Sequence, residues 1–159
     1  HVVEPLSGVK DVHAALASFS ALLDDGRVVA WGSLAGVLPA PLQPLRGAQS
    51  VVSSRSAFAA IDGHGSVVTW GAPSECAPDG LQITEVRQIS STQRAFAALR
   101  TDGTVLTWGE GDYGGNSEAV QEQLVGVAEL RASSAAFAAR RADGGVVTWG
   151  HPCSGGDSS

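Results

Sequence analysis

Four histidines, two cysteines and one acidic stretch are the side chains in this 159-residue chain with obvious chemistry to offer. His1, His13, His64 and His151 fall in unrelated contexts, and no two share a metal-binding spacing. Cys76 and Cys153 lie 77 positions apart with no second Cys or His beside either, which argues against zinc and leaves two unrelated thiols or one disulfide. Glu110, Asp112, Glu118 and Glu122 share a stretch without a basic residue. Their oxygens could serve a hard cation, but the spacing fits no calcium loop. A solvated connection or a protein contact are the other readings. Tyr113, the one tyrosine, could anchor such a contact or pack beneath its own loop. No serine sits in a nucleophile-elbow pattern, and Gly114 and Gly115 follow no strand-to-helix switch that would cradle a phosphate. The expectation is therefore a non-enzyme with no catalytic residues, metal or cofactor.

The elements that would hold these residues come from a pattern repeated four times: FSALLDDGRVVAWG, FAAIDGHGSVVTWG, FAALRTDGTVLTWG and FAARRADGGVVTWG. Phe19, Phe58, Phe96 and Phe137 are each followed twelve residues later by Trp31, Trp70, Trp108 and Trp149. Gly26, Gly65, Gly103 and Gly144 stand between them, three of the four preceded by Asp, which is a hairpin-turn signal. Upstream, Leu6, Leu45, Ile83 and Leu124, then Val12, Val51, Ile89 and Leu130, mark a further strand per unit. The pattern predicts an all-β array whose Phe and Trp residues form the core, with approximate units 1–44, 45–82, 83–123 and 124–159, the last incomplete. One such unit cannot bury both faces, and radial stacking of four or so strands per unit makes a β-propeller. The loops Ser33–Pro44, Ala72–Gln82 and Glu110–Gln123 absorb the variation in period. Pro39, Pro41 and Pro44 stiffen the first of them. Arg140 and Arg141 break the pattern of unit four, which marks either an edge or a tolerated substitution on a partly exposed face.

A net charge of −6 with thinly spread basic residues supplies no stripe for a phosphate backbone, so nucleic acid is not an expected partner. No apolar run reaches the roughly 20 residues that span a bilayer; peripheral association stays open. There is no Met, and the expectation is a piece of a longer protein, with its compartment undetermined.

Units that run Asp-Gly, two or three aliphatic residues and Trp-Gly resemble the regulator-of-chromosome-condensation repeat family of seven-bladed propellers over nearly the whole chain. Ala95–Ala98, Thr104–Gly109 and Tyr113–Gly115 are similar to the short-period arrays of unicellular algae. The resemblance implies a scaffold that binds one or more proteins within a larger assembly, with an extrinsic accessory subunit of a plastid or photosynthetic complex as one version. Its alternative is the regulatory domain of a small-GTPase exchange factor or of a ubiquitin ligase. The chain departs from the exchange factor in having no basic tail and no loop that matches a GTPase-inserting segment. It departs from the ultraviolet photoreceptor in that all four Trp hold the repeat position. Four units against seven implies that more units lie elsewhere, that four close a small ring, or that the array pairs with another copy.

Overall fold

The computed structural model describes residues 6–33 and 47–157. Leu45 and the three loop prolines lie outside them. Four three-stranded antiparallel sheets follow one another along the chain. They are β1 (Val9–Ala14), β2 (Ser18–Leu23) and β3 (Val28–Gly32), then β4 (Ala48–Ser53), β5 (Ala57–Asp62) and β6 (Val67–Gly71). The third sheet is β7 (Val86–Ser91), β8 (Ala95–Arg100) and β9 (Val105–Gly109), and the fourth β10 (Val127–Ala132), β11 (Ala136–Arg141) and β12 (Val146–Gly150). Each is one blade of a partial propeller.

The hairpin of each blade is set by its turn chemistry. Gly26, Gly65, Gly103 and Gly144 all have positive φ, between 77° and 89°, a region that costs an L-residue the clash of its Cβ with backbone. At Gly103 a Cβ would also stand 3.1 Å from Gly126 Cα. The preceding Asp102 accepts hydrogen bonds from the Thr104 hydroxyl at 2.6 Å and the Thr104 amide at 2.9 Å. Those bonds, the hydroxyl first, hold its carboxyl below the usual range. Register follows: Phe pairs with Trp across every hairpin, and the rings stack with centroids 5.3–5.6 Å apart.

No blade contains its own core. Leu22 and Val28 of the first meet Val51, Phe58 and Trp70 of the second; Ala57, Ala59 and Ile61 of the second meet Ile89, Phe96 and Trp108 of the third. Ala95, Ala97, Leu99 and Val105 of the third meet Leu130, Phe137 and Trp149 of the fourth. Each interface thus joins a front, bearing Phe, Trp and aliphatics, to a back of small residues that makes room for the rings. The fronts of blades two to four are buried, with their Trp residues 2–4% exposed. Among the described residues no blade packs on the front of blade one, and this corrects the uniform core expected from the repeat: Phe19 is 45% and Trp31 42% exposed.

Two further features differ from a simple four-stranded blade. In the second and third units the outer strand is flanked by a loop instead of a fourth strand: Val67 N–H donates to the Ile83 carbonyl, and Gln121 Nε2 donates to the Val105 carbonyl. The inner strand of every blade carries a bulge at the same place, at Lys10, Gln49, Arg87 and Ala128, where one extra residue bends the strand.

Candidate protein-contact face

Between the inner and middle strands lies a three-residue link, and in three blades it is built alike. The hydroxyls of Ser54, Thr92 and Ser133 accept from the amides of Ala57, Ala95 and Ala136 at 3.0–3.1 Å, and each gives its one proton to the loop that follows its blade, to Glu75, the Tyr113 carbonyl and the Ser154 carbonyl at 2.6–2.9 Å. The bend turns the middle residue of each link outward. These residues then bond across the blades: Leu16 N–H to the Arg55 carbonyl and Arg55 N–H to the Gln93 carbonyl at 2.7 Å, Gln93 N–H to the Ser134 carbonyl at 2.9 Å. Leu16, Arg55, Gln93 and Ser134 therefore form a row of unlike, exposed side chains on a fixed backbone, along an open groove of about 480 Å³. Leu16 is 63% exposed, and no described side chain pairs with the guanidinium of Arg55.

Behind the row, Glu75 is 3% exposed. Its carboxylate accepts from the Ser54 hydroxyl at 2.6 Å and the Ser56 amide at 3.1 Å, tying the second unit's loop to its link. In the third unit Arg94 does this work, with Nη1 2.9 and 3.1 Å from the two oxygens of Glu110 and its guanidinium carbon 5.5 Å from the centre of the Tyr113 ring. The hydrogen bond to Glu110, before its charge, raises the Arg94 pKa and keeps the group cationic.

The acidic stretch is thus not left without a base, as its sequence suggests, because Arg94 enters from a distant part of the chain. Tyr113 packs partly against the core of blades three and four. Glu118 receives a bond from Asn116 Nδ2 at 3.4 Å, while Asp112 and Glu122 are exposed. Among the described residues no three His, Cys, Asp or Glu gather where they could hold a metal ion. His13 lies 3.3 Å from Asp11, His64 sits in the second turn, and His151 precedes a short 3-10 helix at Pro152–Ser154. Cys76 and Cys153 are both free thiols. Arg140 pairs with Glu129 at 3.2 Å and Arg141 with Asp143 at 2.6 Å.

A groove of about 550 Å³ opens at the opposite end, among the Asp-Gly turns. Two of its polar groups are engaged by the fold: Asp62 caps the amides of His64 and Ser66, and Arg87 reaches the carbonyls of Val127 and Ala128 in the next blade. The row of link residues differs in being held by a backbone ladder that runs across all four blades. It has no periodic signal, since its four members are chemically unlike. The neighbouring Tyr113-Gly114-Gly115 motif has a clear role: Gly114, at φ 90° and ψ 12°, turns its carbonyl to accept from Trp149 Nε1 at 3.0 Å.

No protein-family model matches the chain, and no curated protein does. Solved structures match it. Human WBSCR16 superposes with a TM-score of 0.63 at 20% identity over 99% of this chain and 52% of its own. Prp20p of Saccharomyces cerevisiae gives 0.64 at 17% over 93% and 47%. The chain therefore spans about half the length of these two. A computationally designed protein, Ika4, gives 0.51 at 15%, covering 94% of this chain and 95% of its own.

Proposed function

We propose, from an array that has the fold of the regulator-of-chromosome-condensation propellers, that this chain is a non-catalytic protein-binding segment. Its contact surface is the row Leu16, Arg55, Gln93 and Ser134, extended by the exposed acids Asp112, Glu118 and Glu122. Glu110 and Tyr113 brace the acidic loop through Arg94. The observation that carries this reading is the backbone ladder that fixes four unlike, exposed side chains across four blades. Recognition favours residues that vary on a rigid support, because the support removes the entropy cost of ordering them on binding. The structure of Prp20p is described together with that protein's binding to Gsp1p and histones, a protein-binding precedent for the fold.

The test is capture of partners from the native source with carboxylate-directed crosslinking, using the wild type and the double variant Leu16→Asp with Arg55→Glu. Both side chains are exposed, so the variant keeps its fold. Loss of a partner crosslinked to Asp112, Glu118 or Glu122 supports the reading; retention of all partners by the double variant overturns it. Faster nucleotide release from a small GTPase would replace it with the exchange-factor reading. The plastid version rests on the resemblance of Thr104–Gly109 and Tyr113–Gly115, and comigration with photosynthetic membrane complexes tests it.

A further inference from the structure

Asp25, Asp62, Asp79, Asp102 and Asp143 each stand directly before a glycine. The side-chain carboxyl of such an aspartate and the backbone nitrogen of the next residue can join in a five-membered ring, and glycine, without a Cβ, leaves that nitrogen open to approach. Closure needs a free carboxyl group and a free N–H. Four of the pairs stand in the blade hairpins, where the fold holds both groups. Asp25 accepts from the Arg27 amide at 3.0 Å, Asp62 from the His64 and Ser66 amides at 2.8 Å, and Asp102 and Asp143 from the Thr104 and Gly145 amides at 2.9 Å. Their glycines are committed as well: Gly26 N–H donates to the Leu23 carbonyl, Gly63 to Gly47, Gly103 to Arg100 and Gly144 to Arg141, at 3.0–3.1 Å.

Asp79 and Gly80 stand apart. They are the exposed centre of a turn in the loop after blade two, closed by the Leu81 amide on the Pro78 carbonyl at 3.1 Å. Neither the Asp79 carboxylate nor the Gly80 N–H has a hydrogen-bond partner among the described residues, and a Cβ on Gly80 would meet nothing within 4 Å. The loop can also absorb a change in main-chain length at this point. It is pinned on one side by the Ala77 amide on the Thr69 hydroxyl at 3.0 Å, and on the other by the Val67 amide on the Ile83 carbonyl at 2.9 Å. Residues 78–82 between these pins are all exposed.

We propose that Asp79 is a site of spontaneous isomerisation to isoaspartate, singled out from the other Asp-Gly pairs by the fold. The Gly80 nitrogen attacks Asp79 Cγ. A C–N bond forms as a C–O bond of the carboxyl group breaks, and the oxygen leaves as water, carrying the amide proton and the proton of the carboxyl group. A second water then opens the succinimide. Attack at the main-chain carbonyl breaks that carbon's bond to nitrogen, returns a proton to the nitrogen and leaves Asp79 joined to Gly80 through its side chain, with the former main-chain carbonyl as a free carboxylate. No oxidant, reductant or cofactor enters. The four hairpin pairs are expected to react at least about tenfold more slowly, because closure there must first break a hydrogen bond to a charged group.

Incubation of the folded chain at neutral pH in heavy-oxygen water, followed by trypsin digestion and electron-transfer mass spectrometry, tests this. The tryptic peptide of residues 56–87 carries both Asp62 and Asp79 and so holds its own control. Isoaspartate and the oxygen label are expected to accumulate at Asp79, and an isoaspartate-specific carboxyl methyltransferase is expected to move methyl groups from S-adenosylmethionine onto the aged chain. Asp79→Glu, whose ring would be one atom larger, is expected to lose the methyl signal; a signal retained by this variant places the reaction elsewhere and overturns the assignment. In urea the four hairpin pairs are expected to approach the rate of Asp79. A folded chain in which Asp62 isomerises as fast as Asp79, or in which Asp79 stays intact, overturns the proposal. So does a selectivity that persists in urea, since sequence and not the fold would then be its cause.

Discussion

Trp149 donates its indole Nε1–H to the carbonyl of Gly114, a residue of the preceding unit, at 3.0 Å. The glycine is required twice over, by its φ of 90° and by the Phe137 ring, 2.6 Å from where a Cβ would stand. Gly155, with nearly the same backbone, has no such neighbour.

Gly114→Ala is therefore expected to combine left-handed strain with overpacking and to destabilise by about 3 kcal/mol. Gly155→Ala pays only the backbone term, about 1 kcal/mol. Urea unfolding of the two variants measures the difference; equal losses would show that the Phe137 contact does not matter.

Glu85 has a φ of 60° where the equivalent Gly8, Gly47 and Gly126 have 63–76°. Glu85→Gly relieves that strain, partly offset by the greater freedom of glycine in the unfolded chain. A gain of about 0.5–1 kcal/mol is expected, read as a rise in midpoint at unchanged denaturant slope.

Ser18 and Ser20 occupy the back of blade one at 1% and 0% exposure, and their hydroxyls find no partner among the described residues. The later blades place alanine there. Ser20→Ala is expected to stabilise by about 1 kcal/mol, and Ser18→Ala similarly, because each removes a buried hydroxyl that lost its water. Calorimetry that finds either variant destabilised would reveal a bond these hydroxyls do make.

Burial pushes the Cys76 thiol above its ordinary pKa; the hydrogen bond from Thr69 opposes it in part, and the charge of Glu75 adds the smallest rise. Since the thiolate is the nucleophile, raising the pKa lowers reactivity near neutrality. Iodoacetamide is expected to label exposed Cys153 at pH 7 and Cys76 appreciably only as the pH rises towards that higher value. Equal labelling at pH 7 would mean that the Thr69–Glu75 region opens readily.

The blades were legible in the sequence because their signals are local. A Phe, a turn glycine and a Trp at fixed spacing define a hairpin whichever unit they belong to. The same uniformity hid the exposure of Phe19 and Trp31, since identical motifs do not say which front is left uncovered among the described blades. The contact surface was legible only in part. Glu110 and Tyr113 stood out as an acid and an aromatic in one loop, but Arg94 reaches them through a link that no spacing rule connects to the loop. Leu16, Arg55, Gln93 and Ser134 share a backbone position and no chemistry, so only the hydrogen-bonded ladder brings them to notice. Glu75 carries no signal in the sequence, because Ser54 and Ser56, which close around it, lie 21 and 19 residues away.

Because every core lies between blades, the array's resistance to opening is a chain of nearest-neighbour couplings. Among the described residues blade one is held through a single such coupling and its Phe19–Trp31 pair is exposed, so its amide protons are expected to exchange with solvent ahead of those of the inner blades. A force applied at the amino-terminal end peels the blades away in sequence order, each departure uncovering the aromatic pair of the next.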